Sequence, residues 1–237
     1  MYTIISILFL ITFHKNTLAI LFFGWVQIIS FVCFVRNMFG DNSQPFTHIL
    51  GLIRTKINRV PNIHKDTKVL LYNHVSWADF MIDNYITDCK STHISRMMVI
   101  IAIPASALFC WITKTIYFIN LNTCIDTEKI IDCINNKYGK FVLLYPEGTR
   151  NRTNGVISLK KGFLLTIYKK NIQTQIVFVS NKEKVFDEKY LKVGFNVECN
   201  VYNSQPIIPS TFSSFDLFYE YISNEWITYQ TLITAKA

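Results

Sequence analysis

Two stretches of the chain decide how it folds: Thr67-Lys68-Val69-Leu70-Leu71-Tyr72-Asn73-His74-Val75-Ser76-Trp77-Ala78-Asp79, and Phe141-Val142-Leu143-Leu144-Tyr145-Pro146-Glu147-Gly148-Thr149-Arg150. Each opens on a short apolar run that gives way abruptly to polar residues. Such a run, bounded by a polar cluster, describes a strand buried on both faces. Helical patterning follows the first over Ser76–Cys89 and precedes the second over Asp126–Tyr138. Thr115–Ile119 and Thr174–Ser180 read as further strands, and Val193–Tyr202 alternates like another. Leu159–Lys169 and the aromatic-rich Phe215–Leu232 read as helices. Strands joined by helical crossovers predict an α/β fold with a mixed, largely parallel sheet flanked by helices.

Toward the N-terminus the composition changes. Asn16–Val35 is twenty residues without a charge, enough for a helix of about 30 Å, the thickness of a hydrocarbon core. Met1–Phe13 is too short for an upright span, and His14 and Lys15 separate the two runs. A helical hairpin or a single span therefore predicts a membrane anchor over residues 1–38, with the folded domain over 39–237. The competing reading is a buried helix of a soluble core. A cleaved signal peptide is disfavoured, because no positive region precedes the first run and no small-residue cleavage site follows. Asn37–Asn62, broken by Gly40, Pro45, Gly51 and Pro61, reads as a connector with a short helix.

Arg36, Arg54, Lys56 and Arg59 follow the anchor, and the positive-inside tendency puts the domain on the cytoplasmic face. The net charge of +8 suits anionic headgroups and phosphate-bearing substrates. No basic stripe interleaved with aromatics argues for nucleic acid as a partner. Met97–Trp111 is apolar too, but Pro104 within it and Lys114 behind it favour a helix of the domain over a second membrane segment. None of the six cysteines (Cys33, Cys89, Cys110, Cys124, Cys133 and Cys199) forms a CxxC pair, so reduced thiols are expected and no metal site.

The polar ends of the two opening runs carry the chemistry. Groups at the carboxyl end of strands in an open α/β sheet are well placed to act. If the chain turns into a helix after His74, five residues bring Asp79 back to the imidazole. An imidazole can then take a proton from an alcohol while the carboxylate fixes its tautomer. In the second segment Gly148 permits a tight turn and Arg150 can grip a phosphate with a fork of donors. Glu147 can order the turn or accept from a substrate hydroxyl. Read separately, each has a bland alternative: a solvated histidine at a helix start, or a strand-to-loop turn with an exposed arginine.

Together, NHxSxxDF over Asn73–Phe80 and YPEGTR over Tyr145–Arg150 resemble the two most diagnostic blocks of the lysophospholipid acyltransferase (glycerolphosphate acyltransferase) superfamily, in its order. The resemblance covers about Lys68–Val179 and is nearest to the branch acylating lysophosphatidic acid. It implies His74 as general base, oriented by Asp79, and an acceptor site of Asn73, Glu147, Gly148, Thr149 and Arg150. Lys160 and Lys161 match a basic family position, with a solvated helix start as the alternative. The resemblance further implies acyl-CoA as donor, a lysophospholipid acceptor and membrane lipids as surroundings, with no bound cofactor. Two departures stand out. Tyr117-Phe118-Ile119-Asn120-Leu121 lacks the arginine of the family's middle block, and Ile176-Val177-Phe178-Val179 lacks its proline. A non-catalytic lipid-binding protein of the same fold is the alternative. A serine hydrolase is disfavoured because no GxSxG elbow occurs. The sequon Asn151-Arg152-Thr153 abuts Arg150, where a glycan would obstruct the site.

Overall fold

The run Val69–Tyr72 forms β2, and each of its side chains is buried because the strand lies mid-sheet with helices on both faces. In this computed structural model, residues 2–42, 44–58, 61–97, 100, 104–119, 126–152, 155 and 157–234 are described. Arg59, Asn120, Leu121, Cys124 and Thr153 fall outside them, as do residues 98, 99 and 101–103 of the apolar Met97–Trp111 stretch.

The sheet is built from β1 (Lys56–Asn58), β2, β3 (Ser91–Arg96), β4 (Ile116–Ile119), β5 (Phe141–Leu144), β6 (Thr174–Val179) and β9 (Glu198–Asn203). Its order among the described residues is β1-β9-β6-β2-β5-β3-β4, parallel throughout except between β6 and β9. The chain thus builds outward from β2 to β3 and β4, returns to β5 between β2 and β3, and then crosses β2 to β6 on its other flank. β2 pairs with β5 through Val69↔Val142 to Leu71↔Leu144. The two apolar runs are therefore adjacent, and their polar ends emerge on one edge.

Alternate residues of each strand feed two cores. Leu70, Tyr72, Leu143, Val177 and Val179 face α2 (Pro45–Leu52) and α3 (Ala78–Ile86). Val69, Leu71, Val142, Leu144 and Ile176 face a second layer. That layer holds Thr127–Asp132 (α5), which continues as a π-helical turn over Cys133–Lys137, with Lys161–Lys169 (α6) and Phe215–Thr234 (α8). The expected largely parallel α/β sheet is present. The long alternating segment from Val193 is split: Lys192–Val193 (β8) pairs with Phe186–Asp187 (β7) in a small hairpin, and β9 begins only at Glu198.

At the N-terminus Tyr2–Met38 is one continuous helix, α1, without the break that a hairpin would need. Phe22, Val26, Ser30 and Cys33 are buried, whereas Ile20, Leu21, Trp25, Ile28, Phe31 and Val32 are exposed. The buried stripe packs against α4 (Pro104–Ile112), the helix found within the apolar 97–111 stretch. Polar bonds fix this crossing. Gln27 Oε1 accepts from Ala105 N at 2.9 Å, and the Ser30 and Ser106 hydroxyls lie 2.9 Å apart. In an apolar interface such bonds set register as well as contact.

Between β6 and β9 the short helix α7 (Lys182–Val185) is held by the hairpin behind it. Gly194 N donates to Val185 O, and a Cβ on Gly194 would sit 1.9 Å from Lys184 O and 2.8 Å from Val197 Cγ2. Both the carbonyl and the hairpin are constrained, so Gly194→Ala is expected to cost about 1–3 kcal/mol of stability. Thermal unfolding in detergent checks this, and an unchanged midpoint would contradict the close packing of hairpin on α7.

Candidate active site

Beyond Tyr72 the chain turns across the carboxyl edge of the sheet and is tied down at each step. Asn73 exchanges two bonds with the backbone of Val179: Oδ1 accepts from Val179 N at 2.9 Å and Nδ2 donates to Val179 O at 3.0 Å. His74 N donates to Glu147 Oε2 at 2.8 Å, and His74 O accepts from Asn151 N at 2.6 Å. The two polar loops are thus bonded to one another through the backbone of His74.

α3 starts at Ala78 and places Asp79 in its first turn. Asp79 Oδ2 lies 2.6 Å from His74 Nδ1 and also accepts from Val75 N at 2.8 Å, while Oδ1 accepts from Ser76 N at 3.2 Å. A carboxylate at this distance assigns the ring proton to Nδ1 and leaves the Nε2 lone pair free to accept. The Asp79 side chain is 2% exposed and that of His74 25%, so the dyad opens outward through the imidazole. The ring lies flat on Tyr145, with centroids 4.3 Å apart and planes inclined by 16°.

A buried charge cluster lies beneath the dyad. Lys182 Nζ donates to Asn73 O at 2.8 Å and to both Asp83 oxygens at 3.0 Å, and lies 3.6 Å from Asp79 Oδ1. Tyr145 Oη donates to Asp83 Oδ2 at 2.9 Å and lies 3.2 Å from His93 Nδ1. Burial disfavours the Asp79 carboxylate, but Lys182 and the bonds from His74 and Val75 outweigh it and hold its pKa below the usual range. Burial, reinforced by the charge of Asp79, pushes Asp83 up to about 7 against the pull of Lys182. Burial also works against the Lys182 ammonium, yet Asp79 and Asp83 raise its pKa above that of a free lysine. Burial first, then Lys182, lowers His93 to about 3, so that ring is neutral.

At the rim, Arg150 Nη1 lies 2.5 Å from Glu188 Oε1, and Arg152 Nη2 lies 2.8 Å from the same oxygen. The Arg150 guanidinium also lies 5.8 Å from the centre of the Trp77 ring. Gly148 turns the loop with φ +71°, and a Cβ there would approach Lys160 Cγ to 3.0 Å.

The sequence-predicted residues therefore divide. His74, Asp79, Gly148, Thr149, Arg150 and Lys160 come together at one edge, and Thr149 and Lys160 are exposed there. Asn73 and Glu147, expected at the substrate, lie beneath that surface: both are buried, with side chains bonded to Val179 and His74. Lys161 turns to α8, its ammonium 4.9 Å from the Tyr219 ring. Asn151 of the sequon is itself buried. Sequence reasoning misses Lys182, Asp83, Tyr145 and Glu188. Asp83 carried one signal, an acid on an apolar helix four residues after Asp79. Lys182 and Glu188 sit in charged stretches that look like solvated loop.

Residues 54–182, more than half of the chain, match the profile of the Acyltransferase family. The chain belongs to that family. The matched segment contains the dyad, Arg150 and Arg152 and ends at Lys182, so Glu188 lies beyond it. Among solved structures, the acyltransferase fold is similar to the crystal structure of the 1-acyl-sn-glycerophosphate (LPA) acyltransferase PlsC from Thermotoga maritima. The TM-score is 0.70 at 18% identity, over 93% of this chain and 97% of that one. No curated protein sequence matches the chain.

The buried cluster predicts a pH signature. Asp83 binds its proton more tightly folded than unfolded, which adds stability as pH falls from about 7 towards its ordinary 3.8. His93, lowered from 6.5 to about 3, binds its proton less tightly when folded, which removes stability as pH falls through that window. The two slopes oppose each other where they overlap. Asp83→Asn removes the first, so the variant is expected to lose, relative to the parent, about 1.4 kcal/mol for each unit of pH lowered through that overlap. Denaturant unfolding of both across that range checks it; parallel profiles would refute the assignment.

A second expectation concerns Lys182 itself. Lys182→Met leaves two buried acids without their cation, and is expected to destabilise the domain by about 3–5 kcal/mol. Unfolding at neutral pH tests it, and a loss no greater than that of an ordinary surface lysine would count against the cluster.

Proposed function

We propose that this acyltransferase is membrane-anchored and moves a fatty acyl group from acyl-CoA onto the free glycerol hydroxyl of a lysophospholipid, with lysophosphatidic acid as acceptor and phosphatidic acid as product. The observation that carries the reading is the His74–Asp79 pair at 2.6 Å, with the imidazole partly exposed and set in a loop bonded to the one bearing Arg150. The Thermotoga maritima protein of similar fold is named for the same acceptor.

In this reading, Nε2 of His74 takes the proton of the acceptor hydroxyl as its oxygen attacks the thioester carbonyl. The imidazolium formed is stabilised by Asp79, whose pKa is held low beside Lys182. Collapse of the tetrahedral species breaks the C–S bond, and the same proton passes from Nε2 to the departing thiolate. The acceptor phosphate lies against the rim of Arg150, Thr149 and Lys160, whose donors suit an anion.

The exposed apolar face of α1 supports a membrane setting. Ile20–Met38 is long and apolar enough to cross a bilayer, with 22% of its most apolar window buried within the protein. Phe23 lies edge-on to Trp77 at 5.8 Å, so the helix reaches the wall of the phosphate site. An acceptor with its tails in the bilayer and its headgroup at Arg150 fits that proximity. Arg36 at the end of α1 supports a cytoplasmic domain by the positive-inside tendency.

The test is transfer of labelled oleoyl groups from oleoyl-CoA to lysophosphatidic acid by membranes bearing the parent protein or His74→Ala. Loss of a general base is expected to lower the rate by about 10²–10⁴-fold. Equal rates in the two would remove His74 from the mechanism, and no product from a folded parent protein would favour a lipid-binding role without catalysis.

A further inference from the structure

Glu188 is an unexpected occupant of an anion site. Its side chain is 8% exposed and one of its oxygens accepts from both arginines of the rim, at 2.5 Å from Arg150 and 2.8 Å from Arg152. Its other oxygen accepts from Trp77 N at 3.4 Å. The guanidinium groups lie above it, with side chains 30% and 46% exposed, so their remaining N–H donors stay open to a ligand. Two lysines that follow Glu188 make contacts of their own. The Lys189 and Lys192 ammonium groups lie over the Tyr190 ring, 5.0 and 5.5 Å from its centre. Asp187 accepts from the backbone of Lys189 and Tyr190. The Arg150–Arg152–Glu188 unit therefore carries one net positive charge where two arginines alone would carry two.

Resting on the acyl-transfer reading, we propose that Glu188 is a specificity-determining residue that tunes the acceptor site to the charge of the headgroup phosphate. By cancelling one guanidinium charge it weakens the preference for a doubly charged phosphate monoester and admits lysophospholipids with a singly charged phosphodiester. The effect is Coulombic. An added positive charge near the phosphate attracts a dianion twice as strongly as a monoanion at the same distance, so the carboxylate penalises the monoester more. It also accepts one N–H from each arginine, orienting both without occupying their outer donors.

The experiment compares kcat/KM for lysophosphatidic acid and lysophosphatidylglycerol, with oleoyl-CoA as donor and the full chain in membranes. The ratio of the two cancels effects on the base and on the donor. Glu188→Gln keeps an oxygen for the arginines and removes the charge, so the monoester-to-diester ratio is expected to rise about tenfold or more. Arg152→Gln keeps Glu188 and removes a positive charge, so the ratio is expected to fall. Below pH 6 the monoester binds its second proton, the pKa being about 6, and the gap between Glu188→Gln and parent should close. Should Glu188→Gln fail to fold, Glu188→Ala is read for the same rise. A ratio unmoved when the Glu188 charge is removed, or a gap that survives at low pH, overturns the role of Glu188 while transfer itself stands. No transfer to either lipid by the folded parent overturns the acyl-transfer reading and this inference with it.

Discussion

The site is organised around one buried cation. Lys182 has no access to solvent, and its ammonium is shared among Asp79, Asp83 and the carbonyl of Asn73. Those partners come from the helix after β2 and from the turn that carries His74, while Lys182 itself begins the helix after β6. A single charge thus ties three segments together at the edge where the imidazole opens. Desolvating three ionisable groups is expensive, and well-packed apolar residues would often stabilise a protein as well or better. What the apolar alternative could not do is keep Asp79 ionised in a closed interior. In the proposed reaction the low pKa of Asp79 is the functional consequence, because an ionised partner is what a base needs when it becomes a cation.

The rest of the architecture joins that edge to the apolar N-terminal helix. β2 and β5 are adjacent and parallel, so the two polar loops must emerge together, and the bonds through the His74 backbone hold them in register. On one flank, Trp77 follows directly from the dyad loop. It touches Arg150 on one side and the aromatic cluster of Phe23 and Phe186 on the other. α1 is in turn locked to α4 by Gln27, Ser30 and Ser106. The helix that offers an apolar face outward is therefore packed against the wall of the rim that carries Arg150. If that face meets a bilayer as proposed, its distance from the rim is set by side-chain packing instead of a loose tether.

The sheet and the dyad were legible because both depend on local pattern. VLLY and FVLLY are continuous apolar runs because central strands are covered on both faces, and His74 and Asp79 meet across five residues of a strand-to-helix turn. β3 was not legible. Ser-Thr-His-Ile-Ser-Arg reads as polar, yet Ser91, Thr92 and His93 are buried, with hydroxyl and ring groups bonded to Thr87, Lys114 O, Asn84 and Tyr145. Polar residues satisfied within the fold mimic surface to a pattern that counts only hydrophobicity. Lys182 and Glu188 failed for the same reason at longer range. Their partners are about a hundred residues away in one case and over thirty in the other, and no spacing rule connects them.

The surroundings of the base also bear on which oxygen can attack. Ser76 is two residues from His74, but its hydroxyl accepts from Ala78 N at 3.0 Å and donates to Lys182 O at 3.2 Å, and the residue is 1% exposed. A hydroxyl so bonded and enclosed is turned into the protein and cannot serve as a nucleophile without dismantling the start of α3. Ser106 is bonded to Ser30 and Gln27 at the α1–α4 crossing. With these two serines engaged elsewhere and the His74 imidazole partly exposed, the attacking oxygen of the proposed reaction comes from the acceptor. Direct transfer then needs both substrates present together. A loosely held acceptor would leave water as the alternative nucleophile, so in the proposed reaction a grip of Arg150 on the headgroup would protect the thioester as well as select the lipid.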